Sequence, residues 1–367
     1  MNKRWVTLFP QGENFHLLKD VGYIPYIMHK NYGFDSYFVS YDNDKFEYQN
    51  TYLKGLKIDL LSRVTGNLVI DSLIYIFKNA KNIDVLNFYH FRKAFLIWAL
   101  VYKVLNKNGK IYLKLDANES IKKIKFNKIT DYMFIKILQK IDLISVETIE
   151  LHKWLNDNWP RKIEYIPSGF WADKHKNFIE YNKKENIILT VGRIGAEEKA
   201  NHLLLDAFTK IYDKIPGWKL NFVGQLTDEF KKYAEELIYD NAELKDKVNF
   251  TGYIGNVDKL NDQYAKAKIF CMTSLYESFG LVFVEALKNG CYIITSNVLA
   301  AKDITCNEKY GSIFNVNDEV MLEKYLLEWC HNEALLKEVC IPIQQFAYEN
   351  FSWDVIGEKI YIGLNKI

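Results

Sequence analysis

Cysteine is scarce in this sequence of 367 residues. The five present, Cys271, Cys291, Cys306, Cys330 and Cys340, all fall in the second half, and none has a C-x-x-C spacing. That argues against a zinc site or a disulfide framework and for reduced thiols in a cytoplasmic setting. Met1 to Pro10 lacks a signal-peptide pattern. The longest apolar run, Ala94 to Leu105, is broken by Lys103 and is too short to span a bilayer. The sequence has no internal repeat, no low-complexity tract and no cluster of residues at metal-ligand spacing. Strong net charge is missing too, the balance being +2.

What is present is a globular composition, 49% hydrophobic and 15% aromatic, on a chain long enough for two domains. The charge is unevenly placed. Residues 1–170 hold 25 Lys/Arg and 17 Asp/Glu, whereas residues 171–367 hold 23 and 29. The first half is therefore the one expected to meet something anionic.

Apolar runs and helical patterns alternate along both halves, which predicts parallel sheets with helices on both faces. In the first half the strand candidates are 5–9, 36–41, 83–88, 110–115, 143–146 and 162–166, with helices at 91–105 and 129–141. A break follows at Pro167-Ser-Gly169 and the polar run from Asp173 to Asn186. The rhythm restarts with a strand at 186–191, followed by alternating helices and strands to 295 and helices at 320–331 and 333–349. Ser352 is placed to cap a last helix. The expected architecture is α/β, with two Rossmann-like domains flanking a cleft. The first would be 1–170, joined by 352–367, and the second 171–351.

The most informative stretch is Glu277-Ser-Phe-Gly-Leu-Val-Phe-Val-Glu285. It follows a buried strand and enters a helix that Gly290 closes, so its polar groups lie at the carboxyl end of a parallel strand, where ligands bind in such sheets. The first N–H groups of the helix, at Phe279, Gly280 and Leu281, suit a phosphate. The carboxylates Glu277 and Glu285 suit the hydroxyls of a sugar and a ribose. Glu277 could instead be simply solvated, and Glu285, within Leu-Val-Phe-Val and Ala-Leu, would need a partner if it faced inward. Upstream, Val191-Gly-Arg193 ends another buried strand, with Lys199 six positions on. Arg193 and Lys199 fit a diphosphate leaving group and would neutralise it without a metal. The alternative is that Arg193 pairs with Glu197 or Glu198 and Lys199 is solvated.

Gly192-Arg193…Lys199, Phe222-Val-Gly224, Phe250-Thr-Gly252 and the Glu277–Glu285 pair together resemble the retaining family-4 glycosyltransferases of GT-B fold, the glycosyl transferases of group 1. The likeness is best over 186–320 and extends in outline to the whole chain. It implies that Arg193 and Lys199 hold the donor diphosphate, Glu277 the transferred sugar and Glu285 the ribose. Tyr253 and Ile254 would lie near the base, and Ser352-Trp353-Asp354 resembles the family's closing segment. It implies no cofactor and no divalent metal. The donor would be a UDP-sugar, favoured over a GDP-sugar, and the acceptor a saccharide, free or lipid-linked. The family's first domain often carries Gly-Gly near the first strand. Here only Gly12 is a candidate for backing the phosphates. A His often ends the strand that here reads Ile111-Tyr-Leu-Lys-Leu-Asp116. Asp116 stands in its place, and His90 is a second candidate for assisting the acceptor. Bacterial surface-polysaccharide assembly is the setting the resemblance suggests.

Ser120 to Lys140 mixes Lys122, Lys123, Lys125, Lys128, Lys136 and Lys140 with Ile121, Ile124, Phe126, Ile129, Phe134 and Ile135. Such a segment can lie on an anionic membrane at the inner face, or it can be a solvated face packed on the sheet. Nucleic acid is not an expected partner, since no recognition motif appears. The rival reading is an inactive glycosyltransferase-like subunit that binds a glycan or a protein.

Overall fold

The computed structural model describes residues 2–127, 129, 131–172, 177–239 and 241–366. The chain forms two compact units, Met1–Gly169 with Trp353–Ile367, and Phe170–Ser352.

In the first unit the elements run β1 (Arg4–Leu8), α1 (Asp20–Tyr32), β2 (Asp35–Ser40), α2 (Glu47–Thr51), β3 (Lys57–Leu60), α3 (Leu68–Asn79), β4 (Val85–Tyr89), α4 (Leu96–Leu105), β5 (Lys110–Lys114), α5 (Tyr132–Leu138), β6 (Leu143–Val146), α6 (Ile149–Asn158) and β7 (Glu164–Tyr165). The strand order is β3-β2-β1-β4-β5-β6-β7, and all pairs are parallel. Central strands such as Val85–Tyr89 are buried along their whole length, as expected when helices cover both faces.

The second unit holds β8 (Glu185–Val191), α7 (Asn201–Ile211), β9 (Lys219–Val223), α8 (Asp228–Ile238), α9 (Ala242–Lys247), β10 (Val248–Gly252), α10 (Val257–Lys266), β11 (Ala267–Met272), α11 (Leu281–Lys288), β12 (Tyr292–Ser296), α12 (Ala301–Ile304), β13 (Gly311–Phe314), α13 (Glu319–His331) and α14 (Glu333–Phe351). Its order is β10-β9-β8-β11-β12-β13, again parallel. A last helix, α15 (Trp353–Asn365), begins directly after Ser352 and packs on α1 and β6 of the first unit.

Local chemistry sets many element ends. The Asn67 side chain caps α3, Thr148 caps α6 and Thr227 caps α8. Gly33 closes α1 at φ 69°, a conformation suited to glycine.

Two strands, β3 and β13, carry too few apolar residues to stand out in the sequence, and both lie at sheet edges. The segment 120–140 is not one amphipathic helix. It holds a 3-10 turn over Glu119–Lys123 and, separately, the short helix α5 (Tyr132–Leu138). Side chains compete with the helix there. Asn118 bonds Ser120 N at 3.0 Å, Asn127 bonds Ile129 N at 2.9 Å, and Asp131 accepts from Asn127 N at 3.0 Å. Lys128 and residues 173–176 lie outside the described residues.

Candidate functional site

The order of the second sheet reverses at β8 and β11, so the loops leaving these neighbouring strands flank a topological switch point. Gly192-Arg193 leaves β8, and Thr273 to Gly280 leaves β11 and opens α11. Backbone bonds join the carboxyl-end turns, with Gly192 N to Val223 O and Gly224 N to Gly252 O both at 3.0 Å. A Cβ on Gly224 would stand 1.7 Å from Gly192 O, so this approach needs glycine. The β11 loop is tied to the Lys199 turn by Leu275 N to Glu198 O at 2.8 Å. Thr273 Oγ1 also donates to the carbonyls of Lys199 and Ala200, each at 2.9 Å.

These ties bring Lys199 and Glu277 together, although they lie 78 positions apart. Their side chains form an ion pair, and Ser274 Oγ donates to Glu277 at 3.2 Å. Arg193 pairs with Glu198, the alternative kept open above, and its side chain is 75% exposed. The partner that Glu285 required is Tyr264, whose hydroxyl donates to it at 2.8 Å. Burial pushes the Glu285 carboxyl above its ordinary range, against the lowering effect of that hydrogen bond. Phe279 is buried and packs near Phe351. Gly280 stands at φ 81° as the N-cap of α11, and its carbonyl already accepts from Phe283 N at 3.1 Å. Tyr253 is exposed and Ile254 half-buried, just past β10. The second unit therefore offers a cation, two carboxylates and a helix start at one sheet end. That set can take up a phosphate and several hydroxyls.

In the first unit, Gly12, His90 and Asp116 follow β1, β4 and β5 at the carboxyl end of the sheet. Gly12 N donates to Ser40 Oγ at 3.0 Å, and a Cβ there would meet the Phe38 ring at 2.5 Å. His90 Nδ1 stands 3.7 Å from Asp116 Oδ2. Both residues hold positive φ, 61° and 42°, which is uncommon outside glycine.

Beneath them lies a buried charge cluster that the sequence analysis did not single out. Lys114 Nζ is 2.8 Å from Glu147 Oε1, 3.5 Å from Asp20 Oδ2 and 3.1 Å from Ser168 Oγ. Glu147 accepts from the backbone N–H of Asp116 at 3.1 Å and of Ala117 at 3.3 Å. Burial, then the charges of Asp20 and Glu147, push the Asp116 carboxyl up to about 7, against Lys114 and Lys19. Burial lowers His90, and it lowers His16 to about 4. The legible signal was a lysine inside the apolar strand Ile111-Tyr-Leu-Lys-Leu115, since a charge there needs a partner.

Two parallel-sheet Rossmann-like units in this order define the GT-B architecture. Anabaena HepE, solved in complex with UDP and glucose, superposes with a TM-score of 0.73 at 14% identity, covering all of both chains. Residues 172–342 match the family described as glycosyl transferases group 1. An uncharacterized glycosyltransferase of Methanocaldococcus jannaschii is 27% identical over 209 residues, 56% of this chain and 48% of that protein. The Campylobacter jejuni α-1,4-N-acetyl-D-galactosaminyltransferase named for a GalNAc-containing diNAcBac-PP-undecaprenol acceptor is 32% identical over 162 residues, 43% of this chain and 42% of that one. The matched stretches thus span less than half the length of these two relatives.

Proposed function

We propose that this protein is a retaining glycosyltransferase. It moves a hexose or N-acetylhexosamine from a nucleoside diphosphate sugar, UDP-linked in preference to GDP-linked, to a saccharide hydroxyl. The observation that carries the reading is the Lys199–Glu277 pair beside the start of α11, within the region that matches group 1 glycosyltransferases. On donor binding, the diphosphate takes Glu277's place on Lys199, joined by Arg193. Glu277 then accepts hydrogen bonds from the sugar, and Glu285 from the ribose. Gly12 backs the phosphates, and Phe279, Gly280 and Leu281 offer backbone N–H groups. Tyr253 and Ile254 lie by the base.

In the reaction the bond from the anomeric carbon to the diphosphate oxygen breaks, and its electron pair stays on the diphosphate. The acceptor oxygen bonds the same face of the carbon, and its proton passes to Asp116 or to the departing diphosphate. Lys199 and Arg193 neutralise the leaving charge, so the chemistry requires neither a metal nor a cofactor. The acceptor is lipid-linked and met at the cytoplasmic side of a membrane, within polysaccharide assembly. Support for this last part is the basic character of residues 1–170 and the printed acceptor of the Campylobacter jejuni relative.

The test is a thermal-shift screen of UDP- and GDP-sugars on the wild type and Glu285→Ala, with release of nucleoside diphosphate followed in parallel. Stabilisation by one donor, lost in the variant, supports the reading. No response to any nucleotide sugar or diphosphate leaves the binding subunit as the better account.

A further inference from the structure

Helix α3 is turned inside out relative to an ordinary surface helix. Its inward face carries Asp71 and Ser72 beside Tyr75 and Ile76, all buried. Its outward face carries Ile70, Leu73, Ile74 and Phe77, the i, i+3, i+4, i+7 spacing that normally marks the core side. Ile70 and Phe77 are exposed, Leu73 and Ile74 half-buried.

The rotation is fixed by polar bonds. Asp71 accepts from Tyr41 Oη, Thr65 N and Thr65 Oγ1 at 2.8 Å each, and from Gly66 N at 3.1 Å. Turning the apolar stripe inward would strip a carboxylate of four donors, which costs more than exposing a few methyl groups.

Helix α4 lies alongside, joined by Trp98 Nε1 donating to Val69 O at 3.0 Å, and repeats the pattern. Ile97 and Val104 are exposed, and Leu100 and Val101 half-buried, again at i, i+3, i+4 and i+7. Helix α5 continues the surface with exposed Tyr132 and Met133. Lys93 links it to the start of α4 through Asp131 at 2.5 Å. Phe77 is 70% exposed and Val104 66%. Isolated exposed apolar residues are ordinary, but two adjacent helices with matched outward stripes are not.

The surrounding charge is of one sign. Residues 66–107, which hold α3, β4 and α4, carry six Lys/Arg and two Asp/Glu, and α5 adds Lys136. Among the acids, Asp71 is buried in its own network, and Asp131 is paired with Lys93. α4 and α5 contain no Asp or Glu. A second copy would set this charge against itself, which disfavours self-association. An anionic bilayer meets both features, because lipid tails cover the stripes and headgroups neutralise the lysines. No helix among the described residues is long and apolar enough to cross a membrane, so such contact is interfacial.

We infer that the outward faces of α3 and α4, continued by α5, form an interfacial docking surface for an anionic lipid bilayer. It shares only α5 (Tyr132–Leu138) with the lysine-rich segment 120–140, for which the sequence analysis weighed such contact against a solvated face. It lies within the first unit, and the inference does not depend on the transferase reading.

The experiment is co-sedimentation of the full chain with vesicles, without donor or acceptor. One set is phosphatidylcholine with 30% phosphatidylglycerol and the other phosphatidylcholine alone. Expected are binding to the anionic set, weaker binding to the neutral set, and a loss of about tenfold or more in Phe77→Glu/Val104→Glu. Both side chains face solvent, and an unchanged unfolding midpoint confirms that the variant folds. Equal partition of the variant, or no partition of the wild type, overturns the inference. So does a concentration-dependent dimer that the same substitutions abolish, which would assign the surface to a second copy. Vesicle binding without any turnover would leave this inference standing while the transferase reading failed.

Discussion

Lys114 Nζ lies 2.8 Å from Glu147 Oε1, and neither side chain is exposed to solvent. The ammonium also meets Asp20 at 3.5 Å, so one buried cation serves two buried carboxylates. Against the burial that would discharge it, Glu147 and Asp20 hold Lys114 above its ordinary range.

Breaking this arrangement from the lysine side leaves both acids uncompensated. Lys114→Met is expected to lower stability by about 3–5 kcal/mol in urea unfolding. Adding Glu147→Gln should recover part of the loss, because the remaining buried charge is then smaller. Additive losses would show that the two residues are not coupled.

Asp116 titrates upward, to about 7, because lost solvation and the charges of Asp20 and Glu147 disfavour its ionised form, although its side chain keeps 39% exposure. The folded state therefore binds this proton more tightly than the unfolded chain does. Its contribution to stability is full below the unfolded value near 4 and is lost as pH rises through about 7. Relative to Asp116→Asn, the wild type should lose stability across that window, read as unfolding midpoint against pH. If Asp116 accepts the acceptor's proton, kcat/KM climbs over the same range and the variant lacks that limb.

At the proposed donor site, Lys199→Met should weaken UDP or UDP-sugar binding by about ten- to a hundredfold, measured by calorimetry, since on that reading it removes the cation that meets the diphosphate. Arg193→Ala should cost less, because its side chain is 75% exposed and already held by Glu198. A larger loss from Arg193 than from Lys199 would reverse this ranking.

Tyr264→Phe removes the donor that favours ionised Glu285. The Glu285 titration should then rise further, moving the acid limb of nucleotide binding to higher pH. An unshifted limb would place Glu285 away from the nucleotide.

Gly224→Ala puts a Cβ at 1.7 Å from Gly192 O, on a residue with φ of 142°. A destabilisation of about 2–3 kcal/mol is expected, with donor binding reduced because the β8 and β9 turns must part.

The sequence by itself determined the alternation of strands and helices, since apolar runs bounded by Gly and polar turns are local signals. It also determined that Glu277, Glu285, Arg193 and Lys199 follow strands at one end of a sheet, because position along a parallel strand is read directly from the chain. Only the tertiary structure decided which charges meet. Lys199 and Glu277 join across 78 positions, Tyr264 satisfies Glu285, and Lys114 meets Glu147 and Asp20 through strand order. It likewise decided that 120–140 is broken by Asn and Asp side chains and that α3 turns its apolar stripe outward. The reason is the same in each case. Periodicity gives a helix a face but no direction, and the direction is set by polar groups outside the helix, here Tyr41, 30 positions away, and the nearby Thr65 on Asp71, that must be satisfied together.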